Sequence, residues 1–246
     1  MDKREIAIFS PMANEEKNAE KFINEILSYR KYFDNFIYFI IIDKISKDNT
    51  FSIVKNIEKK NQFIKVIWSP ENKCIVDAYS KGYKACIDTG YKWILEIDVG
   101  SHNPKNIIDF IPFMNSNFDC LYGSRFCQDG KMINDDVFKI LYLFRILLSK
   151  GGTILSKIFF KINLKDTTSG FQMFRINTLK LLLKKKIISR DRFFQTEIKI
   201  YTRKLKQKEI PIEYKCTSNS KKFPLLSIFE SFYLLFKIKL SKNNYI

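Results

Sequence analysis

Three short apolar runs end on groups that can bind a ligand. Residues 5–9 run into Ser10-Pro11, residues 36–43 end on Asp43, and residues 92–98 end on Asp98. His102, the single histidine, follows Asp98 by four positions. A lone histidine is usually structural, and this one stands behind an aspartate. Arg125 follows a further apolar run, and Arg145 and Ser149 stand four apart in a helical stretch, so both project from one helix face. Guanidinium forks suit phosphate. Glu197 and Asp166 are carboxylates able to take a proton from a hydroxyl, while Asp166-Thr-Thr-Ser-Gly170 also has the composition of an ordered turn.

The hydrophobic pattern supplies the elements that must hold these groups. It predicts strands over 5–9, 36–43, 63–68 and 92–98. Helices are expected over 14–29 with Asn14 as N-cap, over 46–60, and over 76–89 with Gly90 as the stop. Ser46-Lys-Asp48 reads as helix-start chemistry. Such alternation implies right-handed βαβ units, a mostly parallel sheet flanked by helices, and a ligand site beyond the carboxyl ends of the strands. Ser10-Pro11, Asp43 and Asp98 then converge on one rim.

The second half is less regular. A strand over 118–122 precedes a long helix over about 137–160, expected to break near Gly151-Gly152. Strands follow over 171–175 and 209–214, then an apolar-basic tail helix over 224–240. With no repeat or linker, the chain reads as one domain over 1–222 and a C-terminal helical segment over 223–246. The tail is nearly all apolar, which favours core packing or a homodimer contact, and its lysines also suit a membrane surface.

Composition narrows the partners. Of 246 residues, 46% are apolar and 15% aromatic, which excludes a mainly disordered chain. The five cysteines are odd in number with no CxxC pair, a pattern of reduced thiols and not of a disulfide framework. No secretory leader is evident, and the longest apolar stretch, 36–42, is far short of the roughly 20 residues that span a bilayer. A cytoplasmic protein, or one on the inner face of the membrane, is expected. The net charge of +17 fits either a solvated lysine surface or an anionic partner. With no zinc-finger spacing, RNP motif or compact basic helix, anionic lipid and phosphorylated substrates rank ahead of nucleic acid.

Taken in order, the motifs resemble glycosyltransferase family 2, the GT-A fold, and within it the dolichyl-phosphate mannosyltransferase-like, polyprenyl-phosphate branch. They are Pro11-Met-Ala-Asn14-Glu15-Glu16, Asp43-Lys-Ile-Ser46-Lys-Asp48, Asn72 with Asp77-Ala78, Glu96-Ile-Asp98-Val-Gly100-Ser-His102, Gly123-Ser-Arg125-Phe126, Asp166-Thr-Thr-Ser169-Gly170, Phe194-Gln-Thr-Glu197 and Glu209-Ile-Pro211. The resemblance spans roughly residues 5 to 215. It implies a Rossmann-like nucleotide-binding fold and an inverting enzyme that takes its sugar from a nucleotide-sugar donor. Polyprenyl phosphate is the implied acceptor, with a hydroxyl of a growing glycan or glycolipid as the alternative; a non-catalytic nucleotide-sugar-binding relative is the further rival.

By the same resemblance Pro11 and Glu15 border the base, Asp43 accepts from the base or ribose, and Asp98 contacts the donor and a divalent metal, Mg²⁺ or Mn²⁺. The family's Asp-x-Asp pair reads Asp98-Val-Gly100 here, so the second carboxylate is missing; His102 is the expected second metal ligand, and the alternative is a metal-poor site in which lysines carry the charge. Arg125, Arg145 and Ser149 would grip the acceptor phosphate, with Arg125 also catalytic. Glu197, or Asp166, would be the base for a hydroxyl acceptor. A late Arg and Gly-x-Ser-Lys segment of the family is replaced by Cys216-Thr-Ser-Asn-Ser-Lys221-Lys222.

Overall fold

The chain opens with β1 (Glu5–Pro11), α1 (Ala19–Ser28), β2 (Asn35–Ile42), α2 (Thr50–Lys60), β3 (Ile64–Trp68), α3 (Ile75–Asp88) and β4 (Trp93–Glu96). The structure, a computed structural model, describes residues 3–134, 138–216 and 225–240, and in the last of these the side chains from 231 onward. Strands β1 to β4 are mutually parallel and ordered β3-β2-β1-β4. β1 shows why the helices lie on both faces. Its residues alternate between two cores: Ile6 and Ile8 pack with Phe22, Ile23 and Ile26 of α1, while Ala7 and Phe9 pack with Tyr79 and Tyr83 of α3.

The second half continues through α4 (Ile107–Phe110), β5 (Cys120–Ser124), β6 (Lys131–Asn134), α5 (Lys139–Phe160), β7 (Gln172–Arg175), α6 (Ile176–Leu182), α7 (Phe194–Thr202), β8 (Gln207–Pro211), β9 (Glu213–Cys216) and α8 (Leu225–Leu240). β7 slots antiparallel between β4 and β5, and β8 lies parallel to β5 at the edge, completing a seven-stranded sheet. β6 and β9 form a separate parallel pair. The carboxyl ends of β1, β2, β4 and β5 share one rim, which the loop before β7 also reaches.

Four expectations change. Asn14 caps no helix: it sits in the left-handed region at φ 58°, and α1 begins only at Ala19. Its side chain instead ties the loop after β2, accepting from Lys47 N and donating to Ile45 O. β4 ends at Glu96, so Asp98 lies in the following turn. The Gly151-Gly152 pair does not interrupt α5, because neighbours anchor that point: Thr153 Oγ1 accepts from Thr167 N at 3.1 Å and Ser156 Oγ donates to Gly152 O at 2.8 Å. Finally, 209–214 is divided between β8 and β9, which belong to different sheets.

Leu234, Leu235 and Ile238 of α8 are buried, and Phe236 meets Phe159 of α5 edge-on at 5.2 Å. The same helix leaves Tyr233 and Leu240 exposed. No helix among the described residues is long and apolar enough to cross a membrane.

Candidate active site

The rim begins where β2 ends. Asp43 is buried; Oδ1 accepts from Ile45 N at 3.0 Å and Oδ2 from Asn72 Nδ2 at 3.3 Å. Asn72 comes from the turn after β3, so two strand ends meet in one polar corner. Pro11, half-buried, closes β1 beside it, in register with Ile41 of β2. Asp48 behaves as a helix-start residue. Its carboxylate takes Thr50 N, Thr50 Oγ1 and Glu16 N, and this dense bonding holds its pKa below the ordinary value despite the cost of burial.

Asp98 is the centre of the rim. Tyr79 Oη donates to its Oδ1 at 2.7 Å, and 30% of its side chain stays accessible. The 166–170 loop approaches so closely that a Cβ on Gly170 would come within 2.9 Å of Asp98 Oδ2 and displace that side chain. Burial raises the Asp98 pKa to about 6; the Tyr79 bond and the charge of Arg192 oppose that rise, and Glu15 adds to it. Gly100 turns the chain back at φ +79°. Glu15 lies against that turn: a Cβ on Gly100 would stand 3.6 and 3.7 Å from its two oxygens. Its Oε2 accepts from Asn18 Nδ2 at 2.9 Å, and burial raises its pKa.

His102 is not a second ligand beside Asp98. Its Nδ1 accepts from the Asp98 backbone N–H at 2.9 Å, so that lone pair is occupied and the proton sits on Nε2. Nε2 is buried without a hydrogen-bond partner, and the ring packs edge-on against Phe171 and Tyr214. Burial, aided by the nearby Arg125 charge, lowers its pKa to about 3, so it is neutral at physiological pH. It fixes the Asp98 turn.

The acceptor-side expectations fare differently. Arg125 is 6% exposed and spends its fork on Asp166, with Nε to Oδ2 at 2.7 Å and Nη2 to Oδ1 at 2.8 Å. It is the partner of a buried carboxylate, not an open phosphate fork. Asp166 is fully buried; burial alone would raise its pKa, but the Arg125 charge and bonds hold it at about 2, so it is no base. Glu197 is also fully buried, accepting from Ile188 N at 2.8 Å, Ser189 N at 2.9 Å, Ser189 Oγ and Tyr201 Oη. It anchors the loop before α7 and has no route to a substrate hydroxyl. Arg145 and Ser149 lie half-buried on α5, with the Arg145 guanidinium bonding toward Cys216 at the end of β9. Lys221 and Lys222 lie outside the described residues.

Two features escaped sequence reasoning. Arg192, exposed beside Asp98, was signalled only by the Arg190-Asp191-Arg192 triplet ahead of α7. Beneath the rim, Glu96 shares a buried network with Tyr83, Gln172 and Gln195, while Lys199 Nζ donates to Ser169 O at 2.7 Å. Burial pushes Glu96 up to about 8 and Lys199 down to about 8. A lysine between Ile198 and Ile200 was the available signal.

For a divalent metal, the rim offers carboxylate oxygen, the donor type that Mg²⁺ and Mn²⁺ take. Among the described residues no group of three His, Cys, Asp or Glu could hold an ion alone. The residues therefore fit an ion that draws part of its shell from phosphate and water.

The family model "Glycosyl transferase family 2" matches residues 7–182. An undecaprenyl-phosphate mannosyltransferase of Micrococcus luteus is 25% identical over 178 residues, covering 71% of this chain and 70% of that protein. A UDP-N-acetylglucosamine–dolichyl-phosphate N-acetylglucosaminyltransferase of Methanococcus voltae is 26% identical over 254 residues, covering 96% and 97%. Among solved structures, glucosyl-3-phosphoglycerate synthase of Mycobacterium tuberculosis, crystallised with Mn²⁺, UDP and glucosyl-3-phosphoglycerate, superposes with a TM-score of 0.64 at 13% identity, over 96% of this chain and 78% of that one. The shared fold is GT-A.

Proposed function

The chain belongs to glycosyl transferase family 2, and from that premise we propose that it moves a sugar from a nucleotide-sugar to a polyprenyl phosphate with inversion at the anomeric carbon. One observation carries the choice of acceptor. A hydroxyl acceptor needs a carboxylate to take its proton, and both candidates, Glu197 and Asp166, are buried and fully engaged. A phosphate acceptor is already anionic and needs none. The names of the relatives from Micrococcus luteus and Methanococcus voltae support the same class of acceptor.

In this reading Asp43, Asn72 and Pro11 hold the nucleoside end of the donor, and Asp98 faces its diphosphate. A divalent cation held at Asp98, Mg²⁺ or Mn²⁺, would supply Lewis acidity toward the departing nucleoside diphosphate. His102 keeps the Asp98 turn in place through its Nδ1, and Tyr79 and Gly170 fix the carboxylate. Arg192 adds positive charge beside the leaving group. An acceptor phosphate oxygen forms the new bond to C1 as the bond from C1 to the diphosphate oxygen breaks, and no proton transfer is required. Arg145 and Ser149 of α5 are the proposed acceptor-phosphate contacts, while Arg125 acts through Asp166 by holding the 166–170 loop on Asp98.

The membrane supplies such an acceptor, and α5 suits a peripheral contact. Ile140, Leu147, Ile154 and Ile158 are each more than half exposed along it, with Lys150 and Lys157 among them. The test is transfer of label from UDP-, GDP- and CDP-sugars to a short-chain polyprenyl phosphate. Label in the organic phase supports the reading; transfer only to a glycan hydroxyl overturns it.

A further inference from the structure

All nine residues of α7 are buried, and a helix buried all round is ordinarily apolar. This one carries Gln195, Thr196, Glu197, Lys199 and Thr202. Glu197 anchors the loop before the helix, whereas Gln195, Thr196 and Lys199 reach the 166–170 loop. Thr196 Oγ1 donates to Thr167 O at 3.1 Å, and Lys199 Nζ donates to Ser169 O at 2.7 Å. Gln195 Nε2 flanks Gly170: it stands 3.0 Å from the Cβ position whose other close neighbour, at 2.9 Å, is Asp98 Oδ2. Arg125 therefore holds the loop at its Asp166 end and α7 holds it at its Gly170 end.

Lys199 stands out among these residues. Its side chain is fully buried, and its ammonium gives its protons to Ser169 O, to Gln172 Oε1 at 3.3 Å and to Gln195 O at 3.3 Å, all neutral acceptors. A buried charge among neutral groups is costly, and an apolar side chain of similar length fills such a space without that cost. What the ammonium adds is direction. It can only donate, so it turns the Gln172 oxygen toward itself and leaves the Gln172 amide nitrogen to serve Glu96 Oε2 at 3.0 Å and Gln195 Oε1 at 2.6 Å. Gln195 Nε2 is thereby aimed at Glu96 Oε1 and at the flank of Gly170.

We propose that Lys199 is a positioning residue for the Asp98 carboxylate: its ammonium pins the Ser169 carbonyl and the Gln172 and Gln195 amides, and so keeps Gly170 packed against Asp98. The role rests on the donor-site reading above, in which that carboxylate faces the donor diphosphate. Lys199 touches neither donor nor acceptor and acts through the loop alone. A methionine at position 199 matches its length and leaves the Ser169 carbonyl without its partner.

The test is Lys199→Met in the full chain, with every rate expressed per folded molecule. Transfer from UDP-, GDP- and CDP-sugars to polyprenyl phosphate gives kcat and KM. Slow release of nucleotide from the same donors without acceptor is followed in parallel, and hydrogen exchange is read over 166–171. Lys199→Met is expected to lower kcat by roughly 10- to 100-fold, the scale of a displaced catalytic group, with melting near wild type. Donor KM should stay within about threefold, because the Asp43–Asn72 corner is untouched, and exchange over 166–171 should quicken. Lys199→Gln keeps one amide donor; its kcat is expected to fall between the two, and it decides the matter if the methionine variant does not fold. Lys180→Met, at an exposed lysine of α6, is expected to match wild type. The inference is overturned if the folded position-199 variants keep wild-type kcat, or if activity falls only with the folded fraction, which marks a side chain that merely fills the core. It is also overturned if kcat falls while exchange over 166–171 is unchanged. A wild-type chain that passes no sugar to polyprenyl phosphate ends the acceptor reading alone, and nucleotide release then tests Lys199 by the same fold-changes. A wild type that does neither ends the donor reading and this inference with it.

Discussion

The two halves of the rim use acidic residues in opposite ways. On the donor half, at the ends of β1, β2 and β4, Asp98 and Glu15 each have one oxygen engaged within the fold; Glu15 lies against Gly100, and the other oxygen of Asp98 lies against Gly170. On the other half, around β5, β7 and α7, Asp166 and Glu197 have every oxygen engaged by Arg125, backbone N–H groups and hydroxyls, and both are fully buried. The motif letters on the two halves look equally chemical. Only the partners separate acids that meet a ligand from acids that hold the wall.

The sharpest way to break this contrast is to exchange each acid for its amide. Asp98→Asn should lower transfer by roughly 10³-fold, the scale of losing charge stabilisation at a leaving group, with melting nearly unchanged. Near-wild-type turnover would remove Asp98 from the site. Arg125→Ala should act on the other axis. It strands a buried carboxylate, so denaturant unfolding should show a loss of about 3–5 kcal/mol, and activity should fall only as far as the folded fraction and the 166–170 loop do.

Acid titration sharpens the same point. The Asp166 pKa is about 2 in the fold against an ordinary 3.8, so the ion pair stabilises fully above the unfolded value. That stability should drain as pH falls from about 4 through 2, by about 2 kcal/mol. Arg125→Ala should flatten this segment of the pH–stability curve. The smallest effect belongs to Glu197→Gln, which trades acceptors for a partial donor among backbone N–H groups. A stability loss of about 1–3 kcal/mol is expected, with kcat of the folded enzyme within a few-fold of wild type. A collapse of kcat without a change in melting would return Glu197 to the chemistry.

The contrast also explains what was legible in the sequence. Donor-half elements follow from local pattern: β1, β2 and α3 announce themselves by apolar runs and periodicity, and Asp43 and Asp98 stand at or just past strand ends. Asp48 was read as a helix-start residue from Ser46-Lys-Asp48 alone, and its bonds to Thr50 agree. The other half depends on contacts with no local signature. Arg125 meets Asp166 across 41 residues, and β7 enters the sheet antiparallel between β4 and β5. Asn14 and His102 misled for one reason. Each has a side chain that serves a neighbouring backbone, and residue type alone does not distinguish that from a cap or a metal ligand.

One measurement bears most directly on the claim that the donor rim is open and the acceptor needs no protein base. Wild type, Asp98→Asn and Glu197→Gln are compared for label transfer from a nucleotide-sugar to polyprenyl phosphate, each normalised to folded protein. The account predicts organic-phase product from wild type and Glu197→Gln at similar rates and none above background from Asp98→Asn. Product from Asp98→Asn at a near-wild-type rate, or its loss from folded Glu197→Gln, would contradict it.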